Sequence, residues 1–123
     1  MQAQLVTQPF KVQLNWLTDA PVVLVNIDAL TAKRRVSGWA GGEVAHSCRG
    51  SMPTLMFKDQ QIFWRVPVEF TQQGHGIVGE IGVVMLDAET GQMDVSDALA
   101  ETMQLAAAKL AESLEASSAH LHA

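Results

Sequence analysis

The 123-residue chain contains one cysteine, Cys48, which excludes an intrachain disulfide framework and any cysteine-only zinc site. It contains no uncharged apolar run near the roughly 20 residues of a membrane-spanning helix. Met1-Gln2-Ala3-Gln4 lacks a basic cluster ahead of an apolar core, so no secretory signal is expected. Internal repeats and linkers between two cores are also missing. Basic residues are scarce in the second half: Lys109 is alone among residues 66–123, against nine acids. Nucleic-acid binding needs a basic stripe. Only Lys33-Arg34-Arg35 begins one, and on a helix it reads as a solvated face. Neither nucleic acid nor membrane is expected as a partner.

What is present suits one globular domain. Hydrophobic residues make up 48% and charged residues 17%, which excludes disorder as the dominant state. A chain of this length buries roughly two thirds of its unfolded surface. The expectation is a single cytoplasmic domain over residues 1–123, with mobile tails at 1–8 and 117–123. Charge divides unevenly: residues 1–65 carry +3 and residues 66–123 carry −8. Halves of opposite sign attract, within a chain or between chains.

Periodicity sets the expected elements. Phe10, Val12, Leu14 and Trp16 alternate with polar residues, as in a half-buried strand. Val22–Val25 reads either as a buried strand or as an extended lead into a helix. Asn26 or Asp28 can cap that helix, expected over about 28–42. Ala29, Ala32, Val36, Trp39 and Ala40 share one face of it, and Gly41-Gly42 should make it fray, kink or stop. Residues 54–57 read as a strand and 58–61 as its turn. Ile62, Trp64, Val66, Val68 and Phe70 then alternate against Phe63, Arg65, Pro67 and Glu69, which marks a strand. Pro67 has no N–H, so it should meet an unpaired edge or a bulge. Ile77, Gly79, Ile81, Val83 and Met85 are expected on one face of the next strand. Gln92–Val95 reads as a short return strand. A last helix, over about 96–116, is capped by Ser96 or Asp94. Leu99, Met103, Ala106, Leu110 and Leu114 form its stripe, with Leu105 off it. The fold class is α+β: a curved antiparallel sheet of four to six strands with two helices. Trp64, Val66, Val68, Phe70, Ile81, Val83, Leu99, Met103 and Leu110 are the expected core.

Trp64-Arg65-Val66-Pro67-Val68 and the run Gly79 to Gly91, ending Asp87-Ala88-Glu89-Thr90-Gly91, resemble the paired strands of PepSY-type domains. There a strand ends in Asp-Ala-x-Thr-Gly before a turn. The segment is similar also to small prokaryotic proteins with a tryptophan-bearing strand before such a turn. The resemblance covers about a quarter of the chain and implies a helix on a curved antiparallel sheet, the cystatin/PepSY layer arrangement. PepSY-type domains are usually secreted or membrane-attached and often linked to peptidase inhibition. The resemblance brings no catalytic residue with it.

No complete catalytic constellation emerges. In His46-Ser47-Cys48-Arg49 the imidazole and guanidinium could activate the thiol, but a buried, inert thiol is the simpler reading. His46, Cys48, Arg65 and Glu69 are the candidates for a pocket between helix and sheet. His75, between Gly74 and Gly76, is a candidate loop contact. Gly74, Gly76 and Gly79 spell a dinucleotide fingerprint without the βαβ context it needs. Asp87 and Gly91 read as a structural turn. Glu80, Asp87, Glu89 and Asp94 fit no calcium loop, and His120 and His122 form only a tail pair. No cofactor or metal is expected. The resulting expectation is a non-enzymatic protein–protein interaction module that forms a homodimer, with another protein as a possible partner. Its contact surface is expected at the sheet edge near Pro67 or at strand 10–17. A small-molecule pocket is the alternative.

Overall fold

The structure is a computed structural model that describes residues 9–13 and 22–121. The elements are β1 (Phe10–Gln13), β2 (Val22–Val25), α1 (Ala29–Glu43), β3 (Cys48–Gly50), β4 (Thr54–Lys58), β5 (Gln61–Gln72), β6 (Gly76–Asp87), β7 (Met93–Asp94) and α2 (Asp97–Leu121). β3 to β7 form one antiparallel sheet, and β1 pairs with β2 in a separate two-stranded ribbon. This is the expected α+β architecture with two helices.

β5 organises the sheet. Ile62, Trp64, Val66, Val68 and Phe70 are buried on its inner face, while Phe63, Arg65, Pro67 and Glu69 are half-buried on the outer one. β6 lies along one side of β5, and β3 and β4 share the other. Residues 51–53 separate β3 from β4. The Pro67 carbonyl accepts a bond from the Ser51 N–H at 2.7 Å. In an antiparallel ladder a residue's N and C=O point the same way. The imino nitrogen of Pro67 therefore faces this interruption, where no ladder bond is lost. Pro67 thus lies on an interior strand beside a break, not on a sheet edge.

β6 departs from simple alternation. Its register with β5 shifts twice, between Val68 and Glu69 and between Phe70 and Thr71, leaving Ile81 and Val78 without partners. An extra residue reverses the facing of all that follows. Val84 and Leu86 consequently stand opposite Val66 and Trp64 and are fully buried, while Val83 is half-buried on the outer face. The expected placement of Val83 and Met85 on the core face is corrected by these bulges. Gly82 and Gly79 lie on the inner face beneath α2. A Cβ on Gly82 would stand 2.6 Å from Met103 Cε, and one on Gly79 would stand 3.1 Å from Leu110 Cδ1. The bare backbone at these two points lets α2 approach the sheet.

Both helices cover the inner face. Asp28 caps α1 by accepting the Thr31 N–H at 2.8 Å. Ala32, Val36 and Ala40 are buried beneath α1. The helix ends at Glu43, one residue past the stop expected near Gly41-Gly42. Helix ends leave carbonyls without partners. Here the Gln104 Nε2 on α2 donates to Glu43 O at 3.1 Å and Val44 O at 3.4 Å. Ser96 caps α2 by accepting the Leu99 N–H at 3.1 Å. Ala100, Met103 and Ala107 are buried, flanked by half-buried Leu99 and Leu110, and Leu105 is exposed. α2 extends to Leu121, five residues beyond the expected end near 116.

The ribbon joins the core through Val25, which is fully buried. Beyond it, the Asn26 and Ile27 N–H groups both donate to Ala88 O, and Trp64 Nε1 donates to Ile27 O at 2.6 Å. The strand expected over 10–17 is described at Phe10–Gln13, and there it pairs with β2 of its own chain. Residues 14–17 lie outside the described residues, as do 1–8. Among the described residues, no helix is long and apolar enough to cross a membrane.

Trp64 packs in the core and ties the α1 approach to the sheet with its indole N–H. Replacement with alanine should reduce stability by about 3–5 kcal/mol, the usual cost of deleting a buried large aromatic. Denaturant unfolding measures this, and a loss below about 1 kcal/mol would contradict the described packing.

Candidate functional site: the open face of the sheet

Among the described residues, the two helices seal one face of the sheet and leave the other open. On the open face, β-register sorts side chains into rows. Arg49, Glu69 and Glu80 align across β3, β5 and β6. Thr54, Arg65, Met85 and Asp94 align across β4, β5, β6 and β7. Met56, Phe63 and Asp87 form a third row, and Pro67 pairs with Val83 between the first two. Phe63, Pro67, Val83 and Met85 form an apolar patch, with the charged Arg65 and Glu69 among them on β5. The β3–β4 side carries cations, and the β6–β7 side carries acids.

Arg49 Nε stands 3.6 Å from Glu69 Oε1, the one ion pair among the described residues. Glu80 lies directly opposite Glu69 across β5 and β6. Like charges in that position disfavour the pairing. At the β7 end, Phe63, Met85, Asp94 and Val95 help line an open cleft of about 360 Å³. A smaller cleft of about 180 Å³ beside it is lined by Lys58, Phe63, Met85 and Asp94.

The four expected pocket residues do not meet. Cys48 pairs with Phe70 on the inner face and is buried. Arg65 and Glu69 alternate with the core residues of β5 and point to the outer face. His46 is exposed on the turn before β3. The reason is geometric: neighbours in a strand face opposite ways, and the sheet separates the thiol from both β5 charges. Burial pushes the Cys48 thiol pKa up, an effect partly offset by a hydrogen bond with Ser47. That environment favours an inert neutral thiol over a thiolate nucleophile.

His75 is exposed in the β5–β6 turn, where its N–H donates to Gln72 O at 2.9 Å. Gly74 and Gly76 adopt φ of 87° and 73° there. This fingerprint-like run therefore joins two antiparallel strands. Asp87 and Gly91 build a turn as expected. Asp87 Oδ1 accepts the Glu89 N–H at 2.8 Å and the Thr90 N–H at 3.0 Å, and Gly91 has φ 82°. Asn26 Nδ2 reaches Glu89 O and Arg35 Nη1 reaches Gly91 O, so this turn also anchors the approach to α1 and α1 itself. The Asp87 carboxylate is thus committed to the backbone. Among the described residues, no group of three or more His, Cys, Asp or Glu side chains could hold a metal. The His120 side chain and His122 lie outside the described residues.

The rows of the open face escaped sequence reasoning, although Arg65, Pro67 and Glu69 were already the outward positions of the β5 alternation. Compared with known proteins, the chain matches no family model, no curated protein and no solved structure.

Cys48 yields a pH prediction. Its folded pKa is raised, so the folded state holds the proton more tightly than the unfolded chain. The contribution is complete below the ordinary thiol pKa and is lost as pH rises through the folded value. Native protein at pH 8 should therefore react slowly with a thiol reagent, and stability should fall further in the alkaline range. Thiol-labelling rates and unfolding curves from pH 7 to 10 test this; labelling as fast as in denaturant would contradict it.

Proposed function

We propose that the protein is a non-enzymatic protein–protein interaction module that self-associates, with another protein as a further possible partner. The supporting observation is the inequality of the two sheet faces. One is covered by both helices. The other carries the apolar Met56, Phe63, Pro67, Val83 and Met85 among charges of both signs, Arg65 and Glu69 on the central strand, Arg49 toward β3 and Glu80 and Asp94 toward β6 and β7. Apolar surface with a polar rim suits protein contact. The scattering of His46, Cys48, Arg65 and Glu69 supports an interaction role over catalysis.

The likeness of residues 64–91 to PepSY-type domains belongs to this reading, as a suggestion of kindred architecture and regulatory binding. A cytoplasmic setting belongs to it as well, since a reducing compartment suits a lone buried thiol. A small-molecule role is the second reading. The cleft of about 360 Å³ beside Phe63 and Met85 favours it.

Sedimentation equilibrium of the full chain at micromolar concentration tests the first reading. The expected mass is a multiple of the 13.3 kDa chain. A mass of one chain across the concentration range would contradict self-association.

A further inference from the structure

We propose that the free edge of β4 takes up an extended, acid-flanked segment of a partner protein as an added antiparallel strand. This inference rests on the reading above that another protein is a partner, and it does not depend on self-association.

The backbone defines the site. Ile62 O accepts the Ala88 N–H at 3.0 Å, and Pro67 O accepts the Ser51 N–H at 2.7 Å. Along this part of β5, even-numbered residues therefore turn their backbone groups toward β6, and odd-numbered ones toward β3 and β4. Thr54, Met56 and Lys58, opposite Arg65, Phe63 and Gln61, share those ladder bonds. Leu55 and Phe57 consequently point their N–H and C=O groups away from the sheet. Among the described residues, β4 pairs with no strand except β5. The same edge is closed where β3 forms it. There the outward Cys48 N–H donates to Ala45 O at 2.9 Å, and the outward Gly50 N–H donates to Ser37 Oγ at 2.9 Å. The described chain thus satisfies the outward donors at β3 and leaves those at β4 open. Another extended backbone matches such an array, which is the mode of strand addition.

Side chains set the chemistry of the occupant. Phe57 is 52% exposed and Met56 39%. An added strand places one side chain beside Met56 on the outer face, and one each beside Leu55 and Phe57 on the inner side, and apolar groups suit all three places. Thr54 and Lys58 flank Met56 on the outer face, with Arg65 next to Thr54. Lys58 and Arg65 take no part in the one ion pair among the described residues, Arg49–Glu69. Asp94 lines the small cleft with Lys58 without forming an ion pair to it. Both ends of this edge are therefore cationic, and acids beside Thr54 and Lys58 complement it. Strands lie about 4.8 Å apart, so an acid beside Thr54 starts about 10 Å from the Arg65 backbone, within the joint reach of the two side chains.

Two competing arrangements fit less well. Antiparallel pairing of β4 with a second copy about Met56 would set the Lys58 of each copy beside Thr54 and Arg65 of the other, cation toward cation. Among the described residues, the far side of β6 pairs only at Met85 and Leu86, with β7. The register shifts that leave Val78 and Ile81 unpaired break the regular ladder an incoming strand would need there.

The test uses the full, isotope-labelled chain and three blocked pentapeptides: Glu-Val-Phe-Val-Glu, Lys-Val-Phe-Val-Lys, and the first with both valines N-methylated. NMR reads the amide resonances and hydrogen exchange of Leu55 and Phe57 during titration. The acidic peptide should shift both resonances and slow both exchanges, and the lysine peptide should bind at least about tenfold more weakly. The N-methylated peptide lacks the donors opposite Leu55 and Phe57 and should not bind. Lys58→Glu, at an exposed position, should keep the thermal melt and remove the preference for the acidic peptide. Equal binding of the acidic and lysine peptides would overturn the acid-flanked class. No change at Leu55 and Phe57 with millimolar acidic peptide, or full protection of both amides in the free chain at every dilution, would overturn the edge site. Sedimentation of the same samples reports self-association separately. A monomeric chain whose β4 edge binds the acidic peptide would sink only the self-association reading.

Discussion

The alternation along β5 is the constraint on which the other elements depend. Ile62, Trp64, Val66, Val68 and Phe70 must leave water together, and one covered sheet face achieves it. That requirement draws α1 and α2 to the same side. It also explains the small side chains that meet there. Ala32 and Ala40 on α1, Ala100 and Ala107 on α2, and Gly79 and Gly82 on β6 allow helices and sheet to close together. The outer face follows from the same alternation, because each residue between two core positions must point away. Its mixture of Arg65, Pro67 and Glu69 is thus determined by the strand that builds the core.

Legibility in the sequence tracked how local each determinant was. The β5 alternation, the Asp87–Gly91 turn and the capping choices at Asp28 and Ser96 depend on neighbours within a few residues, and they were readable. The facing of Val83 and Val84 was not. It depends on two unpaired residues in β6, and a bulge becomes visible only against the partner strand. The end of α1 was legible too, expected near Gly41-Gly42 and found at Glu43, but the bonds that Gln104 of α2 donates to Glu43 O and Val44 O were not. The proposed quartet failed because sequence proximity and chemical type do not report which side of a sheet a residue takes. For Arg65 and Glu69 the signal was present in their position between core residues. For Cys48 it was absent, because only its pairing with Phe70 places it inside.

Charge provides the link from sequence to the proposed association. Along the chain, the +3 and −8 halves are only a compositional imbalance. Folding turns part of it into a surface pattern. β3 and β4 come from the first half and β6 and β7 from the second, with β5 between them. The charge boundary therefore runs along β5, where Arg65 and Glu69 stand among apolar neighbours. Apolar area supplies affinity in such an arrangement, while the charges choose orientation and exclude the wrong register.

The central claim is that one sheet face is sealed within the chain and that the other, in the self-association proposed, is sealed by a second copy. Methionine oxidation distinguishes the two directly. Met103 on α2 is fully buried, whereas Met56 is 39% exposed on the outer face and Met85 is half-buried on that same face, across β5 from it. Oxidation rates of these three residues, read by peptide mass spectrometry across a dilution series, provide the measurement. The account predicts that Met103 is slow at every concentration, and that Met56 and Met85 slow together as association proceeds. Unchanged rates at Met56 and Met85 under conditions where the chain is dimeric would contradict it.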